Sequence, residues 1–100
     1  MRRREEGEGL RADESVLRGS WLTIDNQVIR DSVSLRIAQL VANNLIEVGT
    51  ADGGWSILYR DPSDGRYWEH SYPESEVHGG GPPMLVHLPL DVARKKYEVQ

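Results

Sequence analysis

Apolar positions in this chain follow two different spacings. In residues 31–45, Val33, Ile37, Leu40, Val41 and Leu45 recur every three or four positions, the spacing of a helix with one face on a core. Asp31 or Ser32 is placed to cap its first turn. Asn43 and Asn44 suit its far end, where a left-handed residue is tolerated. Elsewhere apolar and polar residues alternate. Residues 15–25 read as a first strand, with Leu17, Gly19, Trp21 and Thr23 on one face and Val16, Leu22 and Ile24 on the other. Asp25 and Asn26 form a turn after it. Residues 46–50 read as a short strand and 51–54 as a turn.

The strongest hairpin signal joins residues 55–60 to 66–72 through Asp-Pro-Ser-Asp-Gly. Pro62 is placed for a type I turn and Gly65 for a left-handed position. Trp55, Ile57 and Tyr59 share a face of the first strand. On the second, Trp68, His70 and Tyr72 alternate with Tyr67, Glu69 and Ser71. Residues 84–88 form a further strand. Residues 89–98 read as a final helix, with Pro89 at its start and basic residues near its C-terminal end. The sum is an α+β fold: a mainly antiparallel sheet of about five strands with one main helix on it and a short C-terminal helix.

One hundred residues fit one domain. Residues 1–12, rich in charge and glycine, read as a disordered tail, leaving 13–100 as the folded unit. The chain starts without the apolar core of a secretory signal, contains no cysteine, and has no membrane-length apolar run. Cytoplasmic residence is the expectation. The net charge of −4 conceals an asymmetry, because Asp13 to Asp91 holds twelve acidic and five basic side chains, a balance of −7. Such a body argues against nonspecific nucleic-acid binding and favours a basic partner or simple solubility.

The most unusual stretch is residues 70–87, where His78 leads into Gly79, Gly80, Gly81, Pro82 and Pro83. His-Gly-Gly-Gly matches an oxyanion-hole string of some esterases, but no serine follows Ser75 and no G-x-S-x-G occurs. The prolines lack N–H groups and lead into a strand, which is unlike a phosphate loop. His70, His78 and His87 lie eight and nine residues apart, not a recognised zinc spacing. Glu69, Glu74 and Glu76 could cluster, yet no nucleophile accompanies them. The glycines permit close backbone approach and the prolines fix an extended exit. Residues 79–83 therefore read as a structural strap, with no catalytic residue, no cofactor and no metal expected.

The stretch from Gly65 to Leu88, with its Tyr-Trp-Glu, Tyr-Pro-Glu-Ser-Glu and His-Gly-Gly-Gly-Pro-Pro strings, resembles the immunity protein 27 family of bacterial polymorphic-toxin systems. Leu-Arg-Gly-Ser-Trp upstream and Asp-Val-Ala-Arg-Lys-Lys-Tyr downstream extend the similarity over roughly residues 16–97. The resemblance implies a small α+β domain that binds the catalytic domain of a cognate toxin, often a nuclease, and blocks it. It implies no enzymatic activity. Asp61, Asp64, Trp68, Glu69, Tyr72, Glu74, Glu76 and His78 are the expected toxin-binding residues, Trp68 as aromatic anchor. The alternative is a small enzyme or a metal- or ligand-binding domain using His78 and Glu76.

Overall fold

The computed structural model describes residues 9–73 and 81–99. Its order is β1 (Val16–Arg18), β2 (Trp21–Ile24), β3 (Gln27–Arg30), α1 (Ser32–Asn43), β4 (Ile46–Ala51), a 3₁₀ turn (Asp52–Gly54), β5 (Ser56–Arg60), β6 (Tyr67–Ser71), β7 (Met84–Leu88) and α2 (Leu90–Tyr97). Five strands form one antiparallel sheet in the order β1-β7-β6-β5-β4. The α+β fold expected from the sequence is the fold observed, with one main helix and a short C-terminal one. Among the described residues no helix is long and apolar enough to cross a membrane.

One correction concerns the first strand. Residues 15–25 are not continuous: β1 joins the main sheet, while β2 pairs only with β3 in a separate ribbon. The break is Gly19, whose N–H donates to the Pro83 carbonyl at 2.9 Å. A β-carbon at Gly19 would collide with Ser34 Oγ and lie 3.1 Å from the Pro83 carbonyl oxygen. Only glycine lets the chain turn out of the sheet so close to these groups. Gly19→Ala is therefore expected to cost about 1–3 kcal/mol, read as a lower Tm. Adding Ser34→Ala should recover part of the loss, because Ser34 Oγ is the nearest obstruction.

At Asp25-Asn26 the turn is as expected, with φ of 52° and 65°, the left-handed pair of a two-residue hairpin. Asp31 caps α1 by accepting the Ser34 N–H at 2.9 Å. The helix ends differently from expectation. Asn44 is right-handed, and the Asn44 and Leu45 N–H groups both donate to the Leu40 carbonyl. Pro89 is the N-cap of α2 rather than its first residue.

The core lies between α1 and one face of the sheet. Ile37 and Leu40 from α1 join Leu45, Leu17, Tyr59, Trp68 and Leu85. The strand register puts Tyr59 opposite Trp68, and Leu17 opposite Leu85. The opposite face is covered too: α2 crosses it, and Tyr97 donates its hydroxyl to Glu69 of β6 at 2.7 Å. Leu58 and Tyr59 are consequently both buried, although they point to opposite faces of β5.

Candidate functional site

Strand β6 and the residue after it organise the surface to which the sequence pointed. Tyr72 stands at the end of β6 and forms a wall shared by two depressions. The first is a cleft of about 260 Å³ between the β2–β3 ribbon, α1 and the sheet. Trp21 and Arg30, opposite each other in the ribbon, face Ser34, Ile37 and Ala38 of α1 and His70 and Tyr72 of the sheet side. Gly81 and Pro83, at the end of the strap, close the cleft. Gly81 has φ of 75°, a conformation suited to glycine.

His70 sits between Tyr59 and Tyr72, with ring centroids 6.3 and 5.1 Å away. Its Nδ1 is buried and has no hydrogen-bond partner among the described residues. Burial holds its pKa below the usual value, so the ring is neutral at physiological pH.

The second depression, a groove of about 390 Å³, lies on the other side of Tyr72. Trp55, Asp52, Ser56, Glu69, Pro73 and Lys96 line it. Lys96 reaches Asp52 at 3.2 Å and Glu69 at 2.7 Å. Ser56 donates to Asp52 at 2.8 Å. The Ser56 hydroxyl and then the Lys96 ammonium hold the Asp52 carboxyl below its usual pKa. Burial and the hydrogen bond to Glu69 keep the Tyr97 phenol protonated well above its usual range.

The expected site residues are distributed differently from their sequence order. Asp61 is buried and accepts both the backbone N–H and the hydroxyl of Ser63. Asp64 pairs with Arg66 at 2.7 Å. These two acids shape the hairpin loop. Gly65, with φ of 80°, completes it as expected. Glu69 is engaged by α2. Trp68 is fully buried, so its ring offers no surface to a partner in this conformation. Among the described residues, Tyr72 lies on the rim shared by both depressions. Pro82 and Pro83 are half-buried at the strap's exit. Glu74, Glu76, His78, Gly79 and Gly80 lie outside the described residues.

Trp55, Asp52 and Lys96 were not among the expected site residues. The alternation placed Trp55 on β5, but it lies just before that strand and is 55% exposed. The available signal was Asp-Gly-Gly directly before it, a turn-forming run that can swing an aromatic ring out of a strand. The β2–β3 ribbon also exposes apolar side chains, Ile24, Val28 and Ile29.

Residues 23–89, about two thirds of the chain, match the family model described as Immunity protein 27. The matched span runs from within β2 through β7 and includes the residues lining the α1-side cleft except Trp21. No curated protein and no solved structure matches the chain.

Proposed function

The chain belongs to the Immunity protein 27 family, and from that membership we propose that it binds a cognate bacterial toxin in the cytoplasm and neutralises it by occupying its catalytic domain. The family match is the observation that carries this reading. The residue chemistry supports it. The described carboxylates singled out in the sequence are engaged by Ser63, Arg66, Lys96 and Tyr97, as parts of loops and interlayer contacts. Inhibition without turnover needs a shaped surface, which the two depressions around Tyr72 provide.

The acidic balance favours a basic toxin, and a nuclease is the class whose charge it complements best. Long-range attraction then accelerates encounter more than it strengthens the final complex. The test is co-expression of the chain with the toxin domain encoded beside it. Growth should be restored, and the two proteins should co-purify as a complex. The association rate should fall by about tenfold or more as salt is raised, since steering is screened. Failure to rescue growth with a folded, expressed chain would overturn the reading.

A further inference from the structure

We propose that the groove between Trp55, Tyr72 and Lys96 is a socket for an arginine side chain of the toxin. The inference rests on the immunity reading and adds the place and chemistry of contact.

Trp55 is the starting point. The chain has three tryptophans; Trp68 is in the core, Trp21 is half-buried in the cleft, and Trp55 alone is largely in water. Its exposure is built into the backbone. Asp52, Gly53 and Gly54 have φ of 56°, 69° and 97° in succession. A left-handed aspartate is disfavoured and persists only where neighbours hold it. Here the Ser56 hydroxyl binds its carboxylate, and the Trp55 N–H donates to its carbonyl at 3.2 Å. This turn sets the indole edge-on to Tyr72, at 6.0 Å and 83°. Tryptophan, tyrosine and arginine are the residues most enriched at the energetic centres of interfaces.

The charge of the groove selects the occupant. Asp52 and Glu69 outnumber Lys96. Lys96 pairs with Asp52 Oδ2 and Glu69 Oε2, and the Ser56 and Tyr97 hydroxyls use those same two oxygens. Asp52 Oδ1 and Glu69 Oε1 receive no hydrogen bond from any described residue. The Asp52 side chain is itself more than half exposed. The groove thus offers an accessible carboxylate beside an exposed indole and retains net negative charge. A guanidinium is flat, always charged and rich in forked donors. It can stack on the indole while its N–H groups reach the carboxylate. An ammonium group is a compact point charge and cannot lie flat on the indole while presenting a fork of donors.

The first test is an NMR titration of the full chain with acetyl-Gly-Arg-Gly-amide and with its citrulline and lysine counterparts. The arginine peptide should shift the Trp55 indole N–H and the backbone amides of Ser71 and Tyr72 saturably. The citrulline peptide, neutral but similar in shape, should not. Asp52→Asn, which tolerates the left-handed backbone, should weaken the effect at least about threefold, consistent with a charge-assisted bond. Equal shifts with citrulline or lysine, shifts elsewhere, or none would overturn the socket.

The second test measures toxin affinity. Trp55→Ala should weaken Kd by about 30-fold or more while leaving Tm within about 2 °C. Unchanged affinity in a complex that the wild-type chain forms and neutralises would sink the socket and leave the immunity reading standing. A wild-type chain that does not bind the toxin would sink the reading itself. A concentration-dependent dimer abolished by Trp55→Ala would assign the groove to a second copy, against the proposal.

Discussion

Trp68→Ala should cost about 3–5 kcal/mol of folding stability and lower Tm by roughly 15–30 °C. Trp68 is fully buried, at the centre of the cluster made by Leu17, Ile37, Leu40, Tyr59 and Leu85. Its cross-strand neighbours are Tyr59 and His87, and the His87 ring lies 5.7 Å away. The Arg66 guanidinium stands 4.9 Å from the indole, contributing a cation–π contact. Arg66 also donates to the Glu14 and Arg11 carbonyls, at 2.9 Å each. Removing the indole would therefore open a cavity between helix and sheet and loosen the arginine that holds the segment before β1. A domain of this size has about 5–15 kcal/mol in total, so the variant should sit near its unfolding threshold. Trp68→Phe should lose less, about 1–2 kcal/mol, and retain toxin affinity. A folded Trp68→Phe variant with strongly weakened binding would return Trp68 to the interface. An unchanged Tm for Trp68→Ala would contradict the packing.

The elements were legible in the sequence where local pattern and tertiary packing agree. The α1 stripe, the Asp-Pro-Ser-Asp-Gly loop and the β6 alternation each express one contact surface of one element, which periodicity reads directly. The misreadings arise where distant residues decide. Residues 16–24 read as one strand, yet Gly19 breaks it because Pro83 and Ser34, far along the chain, pack against it. Gln27–Arg30 carries a mixed pattern exposed along its length, so the partner strand of the ribbon was hidden.

Charge was the least legible property. Counting acids predicted a negative surface, but Glu69 meets Lys96 and Tyr97, which lie some 27 residues further along the chain. Which acids remain available is a matter of tertiary contacts, and composition cannot reveal it. Trp55 is the converse: a local turn overrides the strand pattern, and a largely exposed indole looked like core.

The Glu14–Arg36 pair should govern acid stability. The Arg36 guanidinium donates to both Glu14 carboxylate oxygens, at 2.7 and 2.9 Å, and to the Gly9 carbonyl at 2.9 Å. The Arg11 backbone N–H adds a bond at 2.8 Å. The pair ties the segment before β1 to the middle of α1. Principally through the hydrogen bonds from Arg36, the Glu14 carboxyl is held at about 2, against a usual 4.5. The unfolded chain takes up this proton near pH 4.5, the folded chain only near pH 2. The stabilisation is therefore complete above pH 4.5 and lost as the pH falls toward 2. Allowing for solvent screening, it amounts to about 2 kcal/mol. Glu14→Gln should lower stability by about that much at pH 7, and the difference from wild type should vanish as the pH approaches 2. Urea unfolding at a series of pH values measures it. Parallel curves for the two proteins across this range would show that another carboxylate carries the acid sensitivity, and that the bidentate contact with Arg36 is not what pins the amino-terminal segment to the helix.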